Sequence, residues 1–147
     1  MKQFYLILTF GLLLAAMPAA AQQGLHVDPV FKGSVIGADR LIETMVKGNK
    51  LKAYNLTLFR SLKATVSDEE ARRIENLVQQ DIRLATDKET LSRGGQLVYA
   101  LLRVRSDEKS NHYLCYQRSP YHAQWQVTLV YLEGQATLTD LKNIFSN

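Results

Sequence analysis

The sequence predicts an α+β domain in which a β-hairpin, a long helix, a three-stranded meander and a C-terminal helix form one antiparallel sheet with the helices packed on one face. Three observations predict it. Ser67-Asp68-Glu69-Glu70 starts a helix whose apolar residues recur at steps of three and four. Residues 96–105, 112–118 and 124–133 read as strands, two of them with clear apolar alternation. Their connections are too short for a parallel crossover, so neighbouring strands must run antiparallel.

Size and composition agree with a single unit. With 147 residues, 46% hydrophobic and 22% charged, the chain can bury about two-thirds of its unfolded surface without staples. Eight Gly, 3 Pro and 1 Cys exclude collagen-like, disordered and disulfide-rich classes. No Pro/Gly/Ser-rich linker, like-charge block or fixed-period repeat divides the chain.

The N-terminal stretch reads as a secretory signal peptide over residues 1–21, leaving one α+β domain over residues 22–147. Lys2 supplies the cation, Phe4 to Ala16 the apolar run, and Ala19-Ala20-Ala21 the small-residue site after Pro18. As a helix, an apolar run of about 13 residues reaches ~20 Å, too short to anchor across a ~30 Å hydrocarbon core. Cleavage is expected between Ala21 and Gln22, with export to the periplasm or the extracellular space and no stable membrane anchor afterwards. Gln22 is not the cysteine that lipid attachment would need. Loss of Lys2 lowers the net charge of +4 by one. The remaining cations mostly alternate with acids, apart from Lys47, Lys50 and Lys52 around a turn, so nucleic acid is not an expected partner.

Residues 22–33 suggest an extended or turn-like lead-in that docks through Val27, Val30 and Phe31. Residues 40–47 and 50–63 suggest a hairpin turning at Gly48-Asn49, with Tyr54, Leu56, Leu58 and Leu62 on one face and Arg60 interrupting it. In the helix from about 68 to 85, Ser67 and Glu70 form a capping box, and Ala71, Ile74, Leu77, Val78, Ile82 and Ala85 form the apolar side. Asp87 to Gly95 suggests a connection with at most one helical turn. In the meander, Val98, Ala100, Leu102 and Val104 share one face, as do Trp125, Val127, Leu129 and Tyr131, with turns over 106–111 and 119–122. Thr137 or Thr139 caps a last helix through Leu138, Leu141, Ile144 and Phe145.

Chemistry is sparse. His26, His112 and His122 and one cysteine have no metal-ligand spacing, and no phosphate-cradling or dinucleotide motif occurs, so no metal or cofactor is expected. Cys115 alone cannot make an internal disulfide and sits in an apolar strand pattern. The only catalytic pairing to test joins Cys115 to His122 across a turn, as a small thiol-dependent or hydrolytic enzyme would need. Tyr113, Tyr121 and Trp125, with Arg118 between, form instead a candidate binding surface for an unidentified protein or envelope component. A small-ligand carrier, with a cavity between helix and sheet, is the other alternative.

The leader ending Ala19-Ala20-Ala21-Gln22, the strand and helix order, and the closing Tyr131-Leu132-Glu133-Gly134-Gln135-Ala136-Thr137-Leu138-Thr139-Asp140-Leu141 make the chain resemble small exported bacterial proteins of uncharacterised families. The resemblance implies an envelope setting and assigns no site residue.

Overall fold

A computed structural model describes residues 25–106 and 109–145. The expected leader, the Ala21/Gln22 cleavage position and Asp107-Glu108 of the first meander turn lie outside the described residues. The chain is an α+β fold built on one six-stranded antiparallel sheet, in the order β1 (Ile42–Lys47), β2 (Leu56–Val66), β6 (Gln124–Gly134), β5 (Asn111–Tyr121), β4 (Gln96–Ser106), β3 (Asp87–Arg93), numbered along the chain.

The lead-in is helical rather than extended: α1 (Asp28–Phe31) has Pro29 in its first turn, where the fixed φ of proline suits a helix. Val27, Val30 and Phe31 are buried as the sequence implies. Strands β1 (Ile42–Lys47) and β2 (Leu56–Val66) do pair, but Gly48-Asn49 makes no tight turn between them. A 3-10 helix over Gly48–Tyr54 intervenes, closed by Asn55 in the left-handed conformation at φ 57. Tyr54 therefore belongs to no strand. A bulge between Leu56 and Leu58 reverses the side-chain parity, so Leu58 and Leu62 face one core and Leu56 the other. Arg60 lies over the Phe31 ring, its guanidinium carbon 5.0 Å from the centroid, and donates to Glu43.

The helix α2 (Asp68–Leu84) has the expected capping box, with Ser67 Oγ accepting from Glu70 N and Glu70 Oε1 from Ser67 N. Ala71, Ile74 and Val78 are buried on its inner side. The segment after it is a strand, β3 (Asp87–Arg93), and not a connection. Its seven residues are almost all exposed because it is an edge strand, which removes the apolar alternation that marks strands in sequence. Gly94-Gly95, both at positive φ, turns it into β4 (Gln96–Ser106).

The meander continues through β5 (Asn111–Tyr121), longer than predicted at both ends, and β6 (Gln124–Gly134), which starts where predicted and runs one residue further. His122 and Ala123, at φ 46 and 63, make a two-residue turn, so Ser119, Pro120 and Tyr121 are strand residues. Pro120 lies beyond the last residue paired with β4, where its missing N–H breaks no ladder on that side. A bulge at Val98 gives its place in the core to Leu97. Ala100, Leu102, Val127, Leu129 and Tyr131 share the expected face.

The helices cover both faces, not one. On the first face, α1 and α2 pack over Leu62, Leu102, Leu114, Tyr116, Leu129 and Tyr131. On the second, the 3-10 helix and α3 (Leu138–Phe145) pack over Leu56, Leu101, Tyr113, Cys115, Val130 and Leu132. Thr137 caps α3 by accepting from Asp140 N. The chain reaches α3 past Gly134, where a Cβ would lie 2.4 Å from the Asn55 carbonyl oxygen, so only glycine permits the crossing.

Outside the first core, Arg40 forks onto Glu70 at 2.7 and 2.9 Å and donates to the Thr65 carbonyl. This hydrogen bond lowers the Glu70 carboxyl to about 2. A carboxyl with a folded value below its unfolded one stabilises fully above about pH 5 and loses that contribution as pH falls toward 2. Urea denaturation between pH 5 and 2 should therefore show a smaller acid-induced loss of stability in Arg40→Gln than in the parent. Equal pH slopes would show that the fork carries none of it.

Candidate functional site

The structure separates the residues of the catalytic alternative. Cys115 lies mid-strand in β5 within the second core, 1% exposed, and burial pushes its thiol up to about 12. His122 is in the turn beyond the end of that strand, on the order of 20 Å away at the rise of extended chain, and on a position of opposite parity. Its ring meets Tyr121 edge to face at 4.5 Å instead. His112, three residues before Cys115, is buried against the Tyr131 hydroxyl at 2.7 Å and Glu133 at 3.0 Å. Neither imidazole serves the thiol.

The proposed aromatic surface also divides. Tyr113 is buried under α3, and its hydroxyl donates to the Ala136 carbonyl at 2.7 Å. Trp125 and Arg118 lie on the first face, stacked with 3.9 Å between the guanidinium carbon and the ring centroid. The Trp125 indole donates to Asp68, and Arg118 reaches Glu75 at 3.6 Å. These contacts hold α2 to the sheet. Tyr121 alone stays exposed, on the second face at its far end.

Two concavities occupy the second face. Toward Gly134, an apolar groove of about 300 Å³ runs between the 3-10 helix, the sheet and α3. Its walls are Val46 of β1, Leu51 and Tyr54 of the 3-10 helix, Leu56 and Phe59 of β2, Leu132 of β6, and Leu141, Ile144 and Phe145 of α3. The short α3 cannot cover the whole width of the sheet, and the groove is the remainder. Toward the His122 turn the face is bare, leaving a cleft of about 330 Å³ lined by Lys63, Val98, Tyr99, Gln117, Arg118, Ser119, Gln126 and Thr128. Burial raises the Tyr99 hydroxyl to about 12, so it stays neutral at ordinary pH.

Sequence reasoning allowed a cavity between helix and sheet but assigned it no residues, and it missed the cleft near the His122 turn. Helical periodicity in α3 is visible in the sequence, but not which sheet face it covers, and the strand pattern of 50–63 extends over Leu51 and Tyr54. It also missed Asp81, a buried carboxylate that accepts from His26 N and Val27 N at 2.8 and 3.1 Å and so ties down the segment before α1. A lone acid within an apolar helix stripe was the available signal.

A family of unknown function, DUF6108, matches residues 14–145. The chain belongs to this family. DUF6108 thus spans the sheet and the helices α1, α2 and α3 of the described residues, including both concavities of the second face. No curated protein and no solved structure matches this DUF6108 chain. Among its described residues no cluster of three or more His, Cys, Asp or Glu could hold a metal ion, and no helix is long and apolar enough to cross a membrane.

The position of Cys115 sets a test. Ellman's reagent at neutral pH should leave the native thiol unmodified over the time in which urea-unfolded protein reacts completely. Stoichiometric modification of the native protein would mean the second core opens, or that the thiol is activated.

Proposed function

We propose that this chain is an exported, non-enzymatic binding module of the cell envelope that holds a small apolar ligand, or an apolar part of one, against the second face of its sheet. The groove carries this reading. Its volume is at the lower bound of small-molecule sites, which run from about 300 to 1,000 Å³, and its walls are apolar with the Tyr54 hydroxyl as a polar exception. Bare apolar surface of this kind gains free energy by covering, at roughly 25 cal/mol per Å² removed from water. The thiol-enzyme alternative lacks a base beside Cys115, and the four-residue aromatic surface lacks a common face.

A second reading uses the bare half of the same face. Tyr99, Gln117, Gln126 and Thr128 can each donate and accept hydrogen bonds there, and with Lys63 and Arg118 in the lining they suit a polar envelope component larger than the groove admits.

Export rests on the first 21 residues. N-terminal sequencing of the protein from the envelope of the cells that make it should begin at Gln22. An intact Met1 on the mature protein would refute the export reading.

Groove binding is tested with the neutral fluorophore N-phenyl-naphthylamine, whose emission should rise on mixing with the protein. Ile144 is 37% exposed, so Ile144→Glu leaves packing largely intact while placing a charge on the groove wall. That variant should bind roughly tenfold more weakly or worse, since the charge loses water when the probe enters. Unchanged fluorescence on mixing, or equal affinity in the variant, would refute the groove as the ligand site.

A further inference from the structure

We infer that the bare half of the second face binds a linear acidic glycan, laid across the strands with a carboxylate on Lys63. The inference rests on reading that half as a polar binding surface and adds the chemical class of its ligand. Strand register carries it. Ile42, Lys63, Thr128, Gln117, Tyr99 and Leu91 are successive pairing partners from β1 through β2, β6, β5 and β4 to β3. Paired residues share a face, and Tyr99 packs on the second core, so the whole line lies on that face. Six strands at about 4.8 Å spacing make it roughly 24 Å long. Thr65, Gln126 and Ser119 form a second line beside its middle. Lys63, Gln117 and Ser119 are exposed, and Thr128, Gln126 and Tyr99 are half-buried.

The middle of the line is built from groups that donate and accept alike, the Gln117 amide and the Thr128 and Tyr99 hydroxyls, with Gln126 and Ser119 alongside. A sugar ring presents the same mixture around its rim and an apolar face to set against the Tyr99 ring. One pyranose unit is about as long as the gap between strands, so successive sugars of an extended chain meet successive strands.

Charge complementarity selects the acidic kind. Lys63 alternates with Leu62 and Ala64 of the first core, so its side chain rises from the second face, within the cleft lining. The Arg118 guanidinium lies on the other face against Trp125. No carboxylate lines the cleft among the described residues, and Glu89, one line nearer α3, is held by Lys142. An uncharged glycan would cover the Lys63 ammonium without matching it, whereas a uronate supplies its counterion. A nucleic acid calls for several cations along its backbone, and a protein partner for an apolar centre to the patch. The cleft offers one ammonium group among amides and hydroxyls.

The probes are oligogalacturonates and oligomannuronates of increasing length, with their methyl esters, titrated by calorimetry. Affinity for at least one acid series should rise with length and level off at about six units, one per strand. It should exceed that of the matching ester by up to about fivefold and weaken with added salt. Lys63→Gln should abolish the difference between acid and ester, and Gln117→Ala should weaken both by about three- to tenfold. Both side chains are exposed, so neither change disturbs a core. Equal affinity for acid and ester, or no effect of Lys63→Gln, would overturn the acidic class, and tighter binding of oligoglutamate would overturn it in favour of a polypeptide. A second measurement separates this inference from the reading beneath it: acetylation of the Lys63 amine, followed by mass spectrometry with and without envelope fragments of the producing cells. Protection of Lys63 by the fragments, with no oligosaccharide bound, would overturn the glycan and leave the polar surface standing. Absence of both protection and binding would overturn both.

Discussion

The central strands β5 and β6 are buried on both faces, and the rest of the architecture answers to that. Tyr113, Leu114, Cys115 and Tyr116 are consecutive and all buried, as are Leu129, Val130, Tyr131 and Leu132. Side chains alternate along a strand, so a buried run of consecutive residues requires cover above and below. The first face has α1 and the 17 residues of α2, enough for a continuous core. The second has only the 3-10 helix and the eight residues of α3. Cover that is adequate near Tyr113 and Leu132 runs out at the edges, and both concavities are consequences of this shortage.

Carboxylates on α2 locate the first layer with a specificity that apolar packing alone does not provide. Asp68 receives the Trp125 indole of β6, Glu75 receives Leu97 N at the start of β4, and Asp81 receives the backbone of His26 and Val27. Each joins the helix to a different segment. Apolar contacts tolerate sliding, whereas a buried N–H left without its acceptor costs about 1–3 kcal/mol. The exposed Glu69–Arg73 pair at i,i+4 is, by contrast, a solvated contact worth a few tenths of a kcal/mol.

Much of the fold was legible because it is written in local patterns. The capping box at Ser67, the apolar stripe of α2, the antiparallel meander and the Thr137 cap all follow from spacing within a few residues. What was not legible depends on partners distant in sequence. β3 is polar because it is an edge, so Asp87-Lys88-Glu89-Thr90 carries no strand pattern. Bulges at Leu56–Leu58 and Val98 shift parity by one residue, which moves Leu56 to the second core and replaces Val98 by Leu97 in the first. The consecutive apolar runs in β5 and β6 were the signal for a doubly covered sheet, yet alternation in the neighbouring positions masked it and put all helices on one face. The candidate site suffered most. Tyr113, Arg118, Tyr121 and Trp125 are close in sequence, but strand parity and the His122-Ala123 turn distribute them over two faces and several depths.

The groove wall is also the least self-sufficient part of the domain. An eight-residue helix is too short to persist alone in water, so α3 depends on its cap, on Leu141 in the second core, and on the fixing of Ala136 by Tyr113 and Asn111. Ile144 and Phe145, its last groove residues, lie beyond those anchors, where helix ends fray most readily. A ligand that fills the groove adds apolar contact to that unanchored turn and to the 3-10 helix opposite. Binding and ordering of α3 are then thermodynamically linked, because a ligand that prefers the closed wall stabilises it in proportion to the logarithm of its concentration. On a sheet held by two cores, that coupling would confine any adaptation to a ligand to the α3 side and leave the first core undisturbed.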